Sequence, residues 1–222
     1  MLVRPTLEAE SALLATGYET VGGMDEVGRG ALAGPVCVGV VVVDSQTPLA
    51  PPGLADSKLL SPAQRLNLIP ALTRWAADHS IGWASAEEID RHGIVAALRL
   101  AGHRALDQLL RTPSVIVLDG KHNWLSPPPD LFSEPSQPAW LVRMKVKADR
   151  ECASVAAASI FAKVARDQRM VELAVEFPEY GWQANKGYGS PAHLEALSHF
   201  GPVHLHRQSW SLPSAEKPDV RS

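Results

Sequence analysis

Asp25 and Glu26 stand just ahead of Gly28-Arg29-Gly30, so two acids adjoin a base that is flanked by glycines. Carboxylates are hard oxygen ligands suited to Mg²⁺ or Mn²⁺. Glycines on either side of Arg29 let its backbone lie close against a bulky anion such as a phosphate backbone. Two more acids fit the same chemistry: Asp119 closes the apolar run Val115-Ile116-Val117-Leu118, and Asp149 opens an alanine-rich stretch. The pattern points to metal-dependent chemistry on a nucleic acid.

For that chemistry the elements must carry the acids to one place. Residues 22–27 read as the end of a first strand, and 36–43 as a second whose unbroken apolar run implies burial on both faces. Ser61-Pro62, an N-cap residue followed by proline, predicts a helix reaching about residue 79, with a third strand over 81–85. Ile94, Leu98, Ala101, Ala105 and Leu109 recur at helical spacing and predict a helix that stops before Pro113. Strands are predicted over 115–119 and 140–146, separated by a proline-rich insertion at 126–138 that should be irregular. A long helix follows, with Ala153, Ala156, Ala157, Ile160, Phe161 and Val164 on its apolar face, then a glycine-rich loop at 185–190 and a short helix at 191–200. Helices on the faces of a mixed sheet are the architecture expected, with Asp25, Asp119 and Asp149 at element ends bordering one crevice.

Each candidate has a plainer reading. Asp-Glu pairs are often solvated turns, but Asp25 follows a strand that should be buried, where a carboxylate needs a partner. Strand parity sends Asp25 and Glu26 to opposite faces, so either the chain bends before Gly28 or Glu26 contributes through its backbone carbonyl. Asp119 and Asp149 could serve as helix N-caps. Asp167, between Arg166 and Arg169, reads as a salt-bridged surface position, and His204 with His206 as a polar C-terminal surface. Trp75 and Trp83 read as core or interface residues. Gly28, Gly30 and Gly34 suggest a dinucleotide cradle, but the third glycine is one residue late, a β-rich run follows, and the acids would repel phosphates.

Composition narrows the class. The 222 residues are 45% hydrophobic and 20% charged, which excludes disordered and collagen-like chains. The longest apolar run, 35–43, is too short to cross a bilayer, and the N-terminus lacks a signal-peptide pattern, so a cytoplasmic location and no membrane partner are expected. Cys37 and Cys152 should be buried thiols. A net charge of −3 argues against a uniformly basic surface, but Lys145, Lys147, Arg150, Lys163, Arg166 and Arg169 could form a local basic face.

Met24-Asp25-Glu26-Val27-Gly28-Arg29-Gly30, Asp56-Ser57-Lys58, Leu118-Asp119-Gly120, Lys147-Ala148-Asp149, the run over 156–167 and Lys186-Gly187-Tyr188-Gly189-Ser190 together resemble the bacterial ribonuclease HII family, in order and in spacing, over residues 22–210. The resemblance implies a ribonuclease H-like α/β fold, a mixed central sheet flanked by helices with a small C-terminal helical extension. It implies cleavage of the RNA strand of RNA–DNA hybrids and of duplex DNA 5′ of single ribonucleotides, leaving 5′-phosphate and 3′-hydroxyl ends. Two divalent ions, Mg²⁺ or Mn²⁺, and a monomeric state belong to the same expectation. Asp25, Glu26, Asp119 and Asp149 would be the catalytic carboxylates and metal ligands. Gly28, Arg29 and Gly30 would read the ribonucleotide's 2′-hydroxyl, Tyr188 would stack on the following sugar, and Lys58 would lie near the phosphate backbone. The expected organisation is an N-terminal extension (1–18), a catalytic domain (19–175), a C-terminal helical substrate-binding part (176–213) and a frayed tail (214–222). Ala31 and Leu59 depart from a proline and a lysine common in the family, which implies somewhat weaker phosphate contact. Another ribonuclease H-like nuclease acting on DNA, or a non-catalytic hybrid-binding protein, are the competing readings.

Overall fold

The computed structural model describes residues 4–127 and 140–213. Most of the proline-rich insertion and the tail at 214–222 lie outside the described residues. The elements run α1 (Glu8–Ala15), β1 (Thr20–Val27), β2 (Val36–Asp44), α2 (Pro62–Trp75), β3 (Asp78–Ala84), α3 (Ala86–His92), α4 (Ile94–Leu106), β4 (Val115–Asp119), β5 (Leu141–Lys145), α5 (Ala148–Glu151), α6 (Ala153–Glu176), α7 (Trp182–Asn185) and α8 (Pro191–Phe200).

They form a five-stranded sheet in the order β3-β2-β1-β4-β5. β1 pairs antiparallel with β2 and parallel with β4, so the sheet is mixed. On one face Val21, Val115 and Val117 pack under α6. On the other, Met24, Ile116 and Leu118 pack with Leu98 and Ala101 of α4. Burial of β2 on both faces is as its apolar run requires, with Val41 and Val43 in the first cluster and Val40 and Val42 in the second. The alanines of α6 allow close approach to the sheet, and Gly23 completes it, since a Cβ there would collide with the backbone of Ser154 and Val155. A third cluster, built on Met170, Leu173, Tyr180, Trp182 and Leu197, joins the end of α6 to the C-terminal helices.

Boundaries shift where pairing overrides local pattern. The Ser61 capping box starts α2 as expected, but the helix ends at Trp75 instead of continuing to about residue 79. Ala76 is extended, Ala77 donates to the Val42 carbonyl at 2.9 Å, and β3 begins at Asp78 because the edge of β2 captures the chain. α4 ends at Leu106, before Leu109.

Candidate active site

Met24 and Leu118 are register partners on parallel strands, so Asp25 and Asp119 follow them side by side at the end of that pairing. Both are in step with residues that face α6, and so share a face. Glu26 takes the opposite face: β1 stays paired through Val27 and Cys37, and no bend intervenes before Gly28. Its side chain instead meets Arg29 Nη1 at 3.4 Å. Asp149 sits inside the short α5, buried, and accepts from Lys58 Nζ at 3.1 Å. It is therefore not the cap of a helix starting at Arg150. Asp119 does serve as a cap of a kind, since its Oδ1 accepts from the Ala148 backbone N–H at 2.7 Å, and this ties β4 to α5.

A cleft of about 260 Å³ is lined by Asp25, Glu26, the Gly28-Arg29-Gly30 turn, Ser57, Lys58, Ser159, Lys163 and Tyr188; Asp119 and Asp149 are not part of its lining, and Asp149 is tied to it through Lys58. Asp25 lies at its floor, 6% exposed. Burial, followed by repulsion from Glu26 and Asp119, pushes its carboxyl up to about 8, against the opposing effects of a Ser159 hydrogen bond and Lys58. Burial also raises Glu26, against the pull of Arg29. Asp119 is raised by burial and by Asp149. Partial burial pulls Lys58 down, yet its hydrogen bond to Asp149 and the nearby Asp25 and Asp56 leave it raised overall.

The donor set fits a hard divalent cation, since clustered carboxylates raise one another's pKa until positive charge is supplied. Among the described residues no three potential ligands already enclose one point, so the acids are gathered without being closed into a cage.

Sequence reasoning missed several residues here. Ser57 and Ser159 hydrogen-bond at 2.6 Å behind Asp25. Arg166 and Arg207, both fully buried, lie beneath the glycine-arginine turn. Four-residue steps through Ala162, Arg166 and Met170 could have flagged Arg166 as inward-facing, whereas Arg207 lies in irregular chain with no periodicity to read. The basic face expected from six cations is largely neutralised. Arg166 is buried, and Lys145, Arg150, Lys163 and Arg169 pair with Glu151, Asp56, Asp167 and Glu172. Asp167 is salt-bridged as expected, but at 17% side-chain exposure it is mostly covered and also faces Arg65.

His206 corrects the expectation of a polar surface. It is fully buried, Nε2 to Nε2 with His193 at 3.1 Å, while His204 is exposed. His206 Nδ1 accepts from Val203 N–H, and His193 Nδ1 faces the Tyr188 carbonyl at 2.9 Å. Both imidazoles are thus neutral, with His206 Nε2–H donating to His193 Nε2. Burial, with His193 alongside, pulls His206 down to about 4. Cys37 and Cys152 are buried free thiols, and Trp75 is a core residue.

A mixed five-stranded sheet flanked by helices, with carboxylates at adjoining strand ends, places the chain in the ribonuclease H-like fold class, and its relatives supply the activity. A model of the family described as Ribonuclease HII matches residues 22–212. The ribonuclease HII of Streptomyces avermitilis is 46% identical over 212 residues, covering 95% of this chain and 85% of that protein. Among solved structures, ribonuclease H2 from Pyrococcus horikoshii superposes with a TM-score of 0.66 at 27% identity, covering 86% of this chain and 94% of that one. The Archaeoglobus fulgidus ribonuclease HII, solved in complex with PCNA, gives 0.65 at 25% identity, with coverage of 86% and 93%. The chain belongs to the ribonuclease HII family, and it is a ribonuclease H, a hydrolase. No helix among the described residues is long and apolar enough to cross a membrane.

Proposed function

We propose that this enzyme hydrolyses the RNA strand of RNA–DNA hybrids and cuts duplex DNA 5′ of single embedded ribonucleotides, leaving 5′-phosphate and 3′-hydroxyl ends. The observation that carries the reading is the meeting, in one cleft, of Asp25 and Glu26 with the Gly28-Arg29-Gly30 turn and Tyr188. Two Mg²⁺ or Mn²⁺ ions held by Asp25, Glu26, Asp119 and Asp149 would supply an activated water and stabilise the departing 3′-oxygen.

The chain's own groups do the rest. Ser159, backed by Ser57, orients the buried Asp25 carboxylate. Lys58, exposed and already bridging to Asp149, places a cation where a phosphate backbone passes the acids. The turn's backbone groups read the 2′-hydroxyl, and a site built to bond a hydroxyl rejects the deoxy analogue because its donors then go unpaired. The half-buried Tyr188 ring offers a stacking surface for the next sugar, with Lys163 at 5.8 Å over its face. The reading extends to a cytoplasmic monomer serving ribonucleotide repair and RNA primer removal.

A gel assay on a duplex bearing one ribonucleotide, with and without Mg²⁺, tests it. Mg²⁺-dependent cutting 5′ of the ribonucleotide is expected. Cutting of the all-deoxy duplex would favour a DNA nuclease, and binding without cutting a hybrid-binding protein.

A further inference from the structure

Arg166 and Arg207 are fully buried, and no carboxylate pairs with either among the described residues. Backbone carbonyls hold them instead. Arg207 Nη1 donates to the Arg29 carbonyl at 2.7 Å, and its Nη2 to those of Gly28 at 2.5 Å and Gly34 at 3.3 Å. Arg166 donates through Nε to Pro35 at 2.8 Å, through Nη1 to Lys186 at 2.9 Å and through Nη2 to Ala33 at 3.2 Å. Its guanidinium also lies 5.3 Å from the Tyr188 ring centre. Two cations therefore grip both ends of the 28–35 turn and the start of the loop that carries Tyr188.

The consequence follows from the rigidity of the peptide unit. In a trans peptide the C=O and the following N–H point in opposite directions. Drawing the Gly28 and Arg29 carbonyls inward onto Arg207 turns the Arg29 and Gly30 N–H groups outward. Among the described residues neither N–H has an acceptor, and both residues line the cleft. Further along, the turn is stitched by its own bonds, Leu32 and Ala33 N–H to the Gly187 carbonyl and Gly34 N–H to that of Leu205. Ala31 N–H bonds back to the Gly28 carbonyl, so among the described residues the N–H groups of this turn without an acceptor are those of Gly28, Arg29 and Gly30, all three of which line the cleft.

We propose that Arg166 and Arg207 are positioning residues for ribose recognition, holding the Arg29 and Gly30 N–H donors and the Tyr188 ring in one fixed arrangement. The inference rests on the ribonucleotide-sensing role proposed above. Arg207 sets the donors' direction, and Arg166 fixes their distance from the ring. A lysine in either place keeps the charge but cannot hold carbonyls in a fork.

The test compares the dissociation constant for a duplex carrying one ribonucleotide with that for the same all-deoxy duplex. Ca²⁺ replaces Mg²⁺ to suppress cleavage, and wild type is set beside Arg166→Lys and Arg207→Lys. The ratio is unaffected by how much of the sample is folded, and thermal unfolding is followed in parallel. The expected result is that wild type prefers the ribonucleotide duplex, and that Arg207→Lys loses about tenfold of that preference or more. Arg166→Lys should lose less of the preference but weaken both duplexes. An unchanged ratio alongside a lower melting temperature would overturn the proposal and leave the pair a purely structural clamp. A wild type without preference would remove the ribonucleotide reading itself, and the inference with it. Should a lysine variant not fold, Arg166→Gln and Arg207→Gln carry the same comparison.

Discussion

Buried charge is handled in opposite ways on the two sides of the Gly28-Arg29-Gly30 turn. On the side of the sheet's strand ends, Asp25, Glu26, Asp119 and Asp149 crowd one another. Burial and mutual repulsion raise the first three, and Asp25 reaches about 8. On the inner side, Arg166 and Arg207 are buried more deeply still, and between them they donate to six backbone carbonyls. The acids are left short of compensation, and the bases are almost fully satisfied. A site that must take up cations and a polyanion keeps its charge unspent, whereas a scaffold that must hold a turn spends its hydrogen bonds internally. The turn belongs to both regions, its carbonyls committed inward and its N–H groups facing the cleft.

Substitutions can break this contrast from either side. The largest effect is expected from Asp119→Asn, which keeps the shape and the Ala148 contact but removes a charge: Mg²⁺-dependent cleavage should fall by about 10³-fold or more, with hybrid binding retained. Near-normal turnover would take Asp119 out of the acidic group. On the basic side, Arg207→Met leaves the Arg29 and Gly34 carbonyls without a donor and the Gly28 carbonyl with the Ala31 N–H alone, and should lower the unfolding free energy by about 3 kcal/mol or more, read by urea titration. A loss below about 1 kcal/mol would mean that those carbonyls find other donors.

Asp25→Asn should act in the other direction on stability. The folded-state pKa of Asp25 is raised from 3.8 to about 8, so the folded chain keeps a proton that the unfolded chain has released. Its contribution is therefore fully present below the unfolded value and is lost as pH climbs through the folded one. In chelator, Asp25→Asn should gain about 1–3 kcal/mol over wild type at about pH 9 and almost nothing at about pH 4. A gain that grows toward acid pH would contradict the repulsion.

Two smaller changes sharpen the boundary between the regions. Tyr188→Ala should impair cutting at an isolated ribonucleotide by about tenfold and cutting of long hybrids by less, because stacking matters most where a single sugar sets the register. Equal losses would remove the stacking role. Gly30→Ala meets open space and should change stability by less than about 0.5 kcal/mol, whereas a Cβ at Gly28, where φ is +89°, would collide with Arg166. A destabilised Gly30→Ala would show that the inner grip extends further along the turn.

Much of this was legible in the chain. Asp25, Asp119 and the glycine-arginine turn could be found because each closes or follows an apolar run, where a carboxylate needs a reason to be, and Asp149 because it opens an alanine-rich stretch. The α6 face was legible because Ala153, Ala156, Ala157 and Ile160 recur at helical spacing. The start of β3 was not, because residues 78–80 pair with β2 through backbone bonds that any side chains permit. Nor was His206, whose neutral pairing with His193 depends on two segments folding together.

By itself the sequence determined which groups could do chemistry and which elements carry them, since periodicity, caps and hard oxygen donors are local properties of the chain. Only the tertiary structure decided that Glu26 borders the cleft of Asp25 without a bend in β1 and pairs with Arg29, that Lys58 rather than another cation reaches Asp149, and that two arginines lie inside instead of on a basic face. The physical reason is that a charge's environment is set by what packs around it. Desolvation, repulsion and the partners that relieve them come from residues as far apart as Gly28 and Arg207, which no local pattern relates.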